Sequence, residues 1–288
     1  MTYPEPIKTY QKRMPIKNLL IIGAGSISKT HIKNINLIDK DIKISCLSSS
    51  GRKISATNIG VNQAFSKLKE LKNKKFERVI ISSPSPFHLK HALPFLKENI
   101  PTLIEKPLSS DYKKALKFFE KNKLNTKFNI GYNLRLNESL RFFKKALDSN
   151  IVGDIHSIFS EVGQFLPNWR DKNFKDSVSA KEDLGGGVLL ELSHEIDYLT
   201  WIFGYPERLF CFLNHSKELN LKVEDQAKIV FLNKDGSIVS LSLDMLKRIP
   251  KRTCRVEGKK GTLIWNFYRN EVSFQKPNER KIILFKKR

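Results

Sequence analysis

The chain is poor in acid and in cysteine. Its 288 residues hold 29 Asp and Glu against 52 Lys and Arg, a net charge of +23, and only three cysteines. Cys46, Cys211 and Cys254 are odd in number, far apart and in no CxxC or Cys/His grouping. That argues against a disulfide framework and a zinc site, and fits a reducing cytoplasm. No apolar run approaches the roughly 20 residues that a bilayer-spanning helix needs; Leu19 to Ile22 and Val188 to Leu190 are short enough to be buried strand or helix starts. The first residues lack the apolar stretch and small-residue cleavage site of a secretory signal, and 1–14, with Pro4 and Pro6, read as a loose arm. With 40% hydrophobic residues the chain is too apolar to be disordered, and its length is enough for two domains.

A surplus of positive charge is the first footprint of a nucleic-acid binder, but its distribution points elsewhere. Residues 1–125 carry 24 basic and 9 acidic side chains, and 126–288 carry 28 and 20, so both halves are basic. Most of the excess is lysine on helix faces such as Lys113, Lys114, Lys117 and Lys121, not Arg interleaved with aromatics. A solvated lysine-rich surface is the first reading, a field drawing in anionic small molecules the second, and nucleic acid the third. The densest segment, Lys247 to Lys260, keeps that third reading open.

From Ile16 to about Gly131, short apolar runs alternate with amphipathic stretches. The runs are Lys17–Ile22, Ile42–Leu47, Val79–Ser82, Thr102–Ile104 and Phe128–Gly131, with helical patterns at 28–38, 86–98 and 111–122. Repeated βα predicts a parallel sheet covered by helices. Beyond 135 come helical stretches at 137–148 and 188–203, then strand-like runs near 207–214, 223–233, 236–246, 252–257, 261–268, 271–275 and 280–285. Asn233-Lys234-Asp235-Gly236 signals a hairpin. The expectation is an α/β dinucleotide-binding domain over 15–131, doubly wound, followed by an α+β domain over 132–288 with a mostly antiparallel sheet.

Gly23-Ala24-Gly25-Ser26-Ile27-Ser28 stands between the first strand and its helix. The first glycine permits a tight turn, the second lets backbone amides approach a pyrophosphate, and the helix start supplies partial positive charge; Ser28 replaces the third glycine. The second strand ends in Cys46-Leu47-Ser48-Ser49-Ser50-Gly51-Arg52-Lys53, without the acid that would bind the ribose diol of NAD. Hydroxyls and two cations suit a 2′-phosphate, hence NADP before NAD, although a Ser-rich turn facing water would look the same. Ser83, Pro84 and His88 follow the strand ending at Ser82, and Glu105-Lys106-Pro107 follows the strand ending at Ile104. Strand ends are where such sheets bind ligands, so Ser83, Pro84, His88, Glu105 and Lys106 are cofactor candidates. A lysine at a strand end reads either as a functional cation or as part of a solvated turn.

Three glycines, Gly185 to Gly187, feed Val188-Leu189-Leu190-Glu191-Leu192-Ser193-His194-Glu195-Ile196-Asp197. On a continuous helix Glu191, His194 and Asp197 stack at three-residue intervals on one face. Such a stack fixes an imidazole's tautomer and keeps it basic; a satisfied interior histidine is the alternative. No third or fourth ligand follows, so a metal is not expected.

With the glycine turn, Glu105-Lys106-Pro107, Gly131-Tyr132-Asn133-Leu134-Arg135 and the triple-glycine helix in hand, the chain resembles the Gfo/Idh/MocA oxidoreductases from about Lys17 to its end. Gly163-Gln164-Phe165-Leu166-Pro167-Asn168-Trp169-Arg170 is similar to a bacterial branch tied to surface-polysaccharide and nonulosonic-acid sugars. The resemblance implies a Rossmann domain, a second domain whose open sheet joins subunits into a homo-oligomer, and nicotinamide-dependent hydride transfer on a sugar or cyclitol hydroxyl. Lys106 matches the family's active-site lysine and His194 its histidine. Glu191 takes the place of an aspartate usually four residues ahead of that histidine, here three. His194 would take the hydroxyl proton, Glu191 would support it, and Lys106 would stabilise charge on the oxygen. Tyr132, Arg135, Trp169 and Arg170 are substrate-pocket candidates, the guanidinium groups favouring an anionic sugar or sugar nucleotide. The rival expectation is a non-catalytic dinucleotide sensor of the same fold.

Overall fold

The computed structural model describes residues 16–124, 128–169 and 173–285, so the arm at 1–14 and the candidate Arg170 lie outside the described residues. Contacts divide the chain into two units. One runs to Ser83 and adds Phe87–Glu105 and Lys117–Asn129; the other comprises Pro84–Pro86, Lys106–Leu116 and everything from Ile130.

The elements through the first sheet are β1 (Asn18–Ile22), α1 (Ser26–Ile38), β2 (Lys43–Leu47), α2 (Ala56–Ile59), β3 (Gln63–Phe65), β4 (Arg78–Ile81), α3 (His88–Lys97), β5 (Thr102–Ile104), α4 (Tyr112–Asn122) and β6 (Phe128–Ile130). The strands line up as β3-β2-β1-β4-β5-β6, and β1 pairs parallel with both β2 and β4. Leu19 to Ile22 and Val79 to Ile81 are buried without alternation, as strands covered on both faces require. The order reverses between β1 and β4, which opens a crevice outside their carboxyl ends. The three-residue β3 is too short to carry a period, and the sequence reading omits it.

The second unit contains α5 (Glu138–Asp148), β7 (Ile155–Gly163), α6 (Val188–Glu191), α7 (His194–Phe203) and strands β8 (Arg208–Asn214), β9 (Gln226–Leu232), β10 (Ile238–Asp244), β11 (Lys251–Gly258), β12 (Gly261–Asn266), β13 (Glu271–Lys276) and β14 (Glu279–Leu284). They form one sheet in the order β14-β13-β12-β11-β7-β10-β9-β8, antiparallel except where β10 runs parallel to β7. The hairpin signal holds: Asn233 donates its amide to the Ser237 carbonyl between β9 and β10, and Gly236 takes φ +82°.

The central strand β7 is absent from the sequence reading. Its inward positions are Ile158, Ser160 and Val162, and the serine masks the alternation. Ser160 is inside because the buried Tyr198 hydroxyl needs a partner, and the two oxygens lie 2.6 Å apart. The core around them holds Phe143, Leu140, Val256, Leu241 and Trp265, whose Nε1 donates to Ser139 Oγ at 2.9 Å. The opposite face of the sheet is open. One cross-strand row runs Phe210, Val230, Ser240, Phe159, Arg255, Ile264, and in the edge strand β8 every residue is exposed. Among the described residues no helix is long and apolar enough to cross a membrane.

Candidate functional site

The first unit builds an anion cradle. Gly23 turns the chain at φ +117°, and a Cβ there would stand 2.5 Å from the Ser82 carbonyl oxygen, so only glycine fits. Gly25 is the N-cap of α1 and supplies no side-chain cap, no acid occupies the first turn, and a Cβ on Gly25 would meet nothing within 4 Å. The first amides of α1, at Ser26 and Ile27, are therefore left to an anion by a thirteen-residue helix. Ser28 works where a third glycine was expected. Ser82 Oγ donates to the Ile22 carbonyl at 3.1 Å, so Ser28 Oγ donates its own proton to Ser82 Oγ, 2.8 Å away. A hydrogen bond thus clamps α1 to β4 where a bare backbone usually does.

Beside this cradle lies a cleft of about 260 Å³ at the carboxyl ends of β1 and β2. Ser48, Ser49 and Gly51 line it from the β2 loop, Ser66 from beyond β3, and Lys90 and His91 from α3; among the described residues no Asp or Glu does. Arg52 is exposed and donates from Nε to Ser50 Oγ at 3.1 Å. Sequence reasoning missed Ser66, Lys90 and His91, which come to the cleft from elements distant in the chain. The amide donors, open helix terminus, hydroxyls and the Lys90 ammonium fit a dinucleotide.

Other cofactor candidates brace the loops. His88 is buried and its Nε2 lies 2.6 Å from the Ser83 carbonyl oxygen, so it supports the loop and does not face a ligand. Ser83 Oγ meets His91 Nδ1 at 2.9 Å. Glu105 Oε1 lies 2.7 Å from Nε2 of His31 on α1. Pro84 belongs to the second unit.

The second unit brings Lys106, Glu191, His194 and Tyr132 together, but not through the continuous helix that the spacing predicts. The helix breaks. α6 ends at Glu191, Leu192 leaves the helical region at φ −101° and ψ 26°, and α7 restarts at His194. Across the break the Glu195 amide bonds to the Leu192 carbonyl instead of that of Glu191. The carbonyl of Glu191 is thereby freed and accepts a hydrogen bond from Lys106 Nζ at 2.9 Å, while the Glu191 carboxylate stands 4.0 Å from the same nitrogen. The three glycines serve close packing: a Cβ on Gly186 would meet the Val178 carbonyl oxygen at 2.6 Å, and one on Gly187 would strike the Glu224 carboxylate, which accepts from the Leu189 amide.

The expected stack of carboxylates on His194 does not form: the break displaces Glu191, and Asp197, although it shares α7 with His194, bonds elsewhere. Asp197 is taken by Arg135, whose Nε and Nη2 grip its two oxygens at 2.8 and 2.7 Å. No hydrogen bond joins Glu191 to the imidazole among the described residues, and His194 Nδ1 is buried without a partner. Tyr132 packs edge-on against the His194 ring at 5.6 Å. Burial, then the charge of Lys106, then that of Arg252 push the imidazole down to about 3 from its ordinary 6.5, so it is neutral, not the strengthened base the stack implied. Arg135 is spent on Asp197, although it stays partly exposed. Trp169 donates from Nε1 to the Gln164 carbonyl at 3.1 Å and packs on the core, which argues against a ring-stacking platform. Arg252 and Glu195, both near His194, were passed over; the only signals were the basic segment and the acid following the histidine.

Comparison with known proteins places these halves in context. Residues 17–128 match the model described as the oxidoreductase family, NAD-binding Rossmann fold, and 140–264 match the GFO/IDH/MocA C-terminal domain. Inositol 2-dehydrogenase of Leifsonia xyli subsp. xyli is 26% identical over 191 residues, covering 64% of this chain and 52% of that protein. Glucose-6-phosphate 3-dehydrogenase of Bacillus subtilis is 26% identical over 206 residues, covering 65% and 54%. The chain spans about half the length of the curated relatives it matches. Among solved structures, the WlbA dehydrogenase of Bordetella pertussis in complex with NADH and UDP-GlcNAcA superposes at a TM-score of 0.75 with 18% identity, over 87% of this chain and 78% of that one. Levoglucosan dehydrogenase with NADH and levoglucosan superposes at 0.78 with 16% identity, over 93% and 80%. These likenesses show the fold.

The two depressed histidines give an acid-stability prediction. Burial, then Lys90 and His88, push His91 down to about 4. The unfolded chain protonates both rings near pH 6.5 and the folded chain only well below, so the stability they leave intact above that pH is lost as pH falls toward the folded values. Between pH 7 and pH 5 each costs about 2 kcal/mol. Urea unfolding of His91→Gln at the two pH values should show a pH loss smaller by about that amount than the unmodified protein; an unchanged loss contradicts the assignment.

Proposed function

Since the chain belongs to the Gfo/Idh/MocA oxidoreductase family, we propose that it is an NAD(P)-dependent dehydrogenase or reductase acting on a secondary hydroxyl or ketone of a sugar. The observation that carries the reading is the pairing of a buried-side ammonium, Lys106 Nζ on the freed Glu191 carbonyl, with an uncharged imidazole, His194, in the same unit. A nicotinamide dinucleotide, when bound, supplies or takes up the hydride. Gly23, Gly25 and the α1 amides of Ser26 and Ile27 would hold its pyrophosphate, and Ser48, Ser49 and Arg52 its adenosine end. His194, neutral across the physiological range, accepts the hydroxyl proton. Lys106 stabilises the negative charge that grows on the same oxygen, and the Glu191 carbonyl keeps the ammonium in place. Glu191 acts on Lys106 in this account more than on His194.

For substrate we propose an acidic sugar or sugar nucleotide of surface-polysaccharide synthesis. The net charge of +23 favours an anion, and the WlbA fold relative was solved with UDP-GlcNAcA. Three free cysteines suit a cytoplasmic enzyme of this kind. Assays with a panel of sugar nucleotides and cyclitols should give a coenzyme-dependent absorbance change that Lys106→Met and His194→Gln each cut about a hundredfold in folded protein. Full turnover by both variants would reject the roles given to them; coenzyme binding without turnover on any sugar would favour a sensor.

We also propose that NADP is preferred to NAD. A cleft lined by Ser48, Ser49, Ser66 and Lys90, with no acid among the described residues and with exposed Arg52 next to Gly51 in the same loop, supports a 2′-phosphate. NADPH should bind about tenfold tighter than NADH and lose that margin in Arg52→Ala, since a charge-assisted phosphate contact is worth that much. A tenfold preference for NADH in the unmodified protein would overturn it.

The open face of the second sheet is our proposed subunit interface. Phe210 and Phe212 are 63% and 71% exposed on it, the kind of apolar surface a soluble chain covers. Phe210→Glu with Phe212→Glu should lower the mass seen by sedimentation, whereas an unchanged assembly would place the contact elsewhere.

A further inference from the structure

Glu195 follows His194 at the start of α7 and is wholly buried, yet the proposed reaction does not use it. Its Oε1 forms an ion pair with Nε of Arg252 at 2.8 Å, without the alignment of a hydrogen bond; β11 contributes Arg252, whose guanidinium also stands over Phe267, 5.2 Å from the ring centre. Withdrawing both ions from water costs about as much as their attraction returns, so well-packed apolar side chains would serve the core equally well. Stability alone does not account for the pair.

Glu195 is the chain neighbour of His194, and the charge of Arg252 acts on that imidazole. The charged and titratable groups around His194 come from every side: Lys106 after β5, Tyr132 and Arg135 before α5, Glu191 from α6, Glu195 and Asp197 from α7, and Arg252 from β11. Asp197 is held by Arg135, and the Glu191 carboxylate leans toward Lys106. The two cations that act on the ring are therefore Lys106 and Arg252.

We propose that Glu195 and Arg252 are positioning residues: the buried carboxylate anchors the guanidinium beneath the start of α7, and the guanidinium, with Lys106, holds His194 as an uncharged proton acceptor. This rests on the reading of His194 as the base. Burial raises Glu195 to about 7, so near neutral pH its own charge is half withdrawn, Arg252 is less compensated, and protonation of His194 is opposed further.

The test is an NMR titration of histidine ring protons in the full chain without substrate or coenzyme. The His194 signal is assigned by its absence in His194→Gln. In the unmodified protein the ring should stay uncharged down to pH 5. Glu195→Gln combined with Arg252→Met removes both charges with little change of volume, and should raise the His194 midpoint by more than about 0.3 pH unit. Glu195→Gln alone leaves Arg252 charged and should not raise it. A midpoint within about 0.3 unit of the unmodified protein in the double variant, or a rise in Glu195→Gln alone, would overturn the inference. Because the readout needs no turnover, an inactive protein that shows the expected shifts would refute the proposed reaction and leave this inference standing.

Discussion

One hydrogen bond organises the chemistry of the second unit, that from the Lys106 ammonium to the Glu191 carbonyl oxygen. It exists because the helix is interrupted at Leu192. In an unbroken helix the amide four residues on would occupy that carbonyl; here the Glu195 amide turns to Leu192 instead. A backbone acceptor is thus left for a side chain, and it receives the part-buried Lys106 ammonium. The same break takes Glu191 off the face that carries His194, whereas Asp197 stays on α7 with His194 and is drawn off by the Arg135 guanidinium.

Burial and two cations, Lys106 and Arg252, keep the His194 ring neutral. Such a ring can receive a proton but binds one weakly, so charge must arrive with the substrate for the proton to remain there. The anionic sugar we propose as substrate would supply that charge. The first unit, the family's NAD-binding Rossmann domain, follows the opposite logic. Its α1 terminus carries no acid and no cap, so it is incomplete until an anion arrives.

Much of this was legible from the chain. The βα alternation and the glycine turn stand out because each depends on local pattern, whereas Lys106 and His194 are singled out by the family resemblance. The antiparallel strands from β8 onward announce themselves by alternation and by turn residues such as Asn233 and Gly236. What escaped depends on partners distant in sequence. β7 hid behind Ser160, an inward polar residue explained only by the Tyr198 hydroxyl. The break before His194 escaped because a three-residue interval between Glu191 and His194 is compatible with an intact helix, and only the position of Lys106 shows why the backbone departs. Ser28 looked like a flaw in a glycine pattern and is a hydrogen-bonded clamp to Ser82. Trp169 looked like a stacking platform and is tied to its own loop through Gln164.

The central claim is that Lys106 and His194 serve a hydride exchange with a sugar carbon. Its most direct test uses NADPH carrying deuterium at the nicotinamide C4, incubated with a panel of keto sugars and keto sugar nucleotides and followed by mass spectrometry. The account requires one deuterium to appear on carbon in a sugar product, and to be lost from that product when Lys106 is replaced although coenzyme still binds. Coenzyme that binds tightly yet leaves every sugar unlabelled would contradict it.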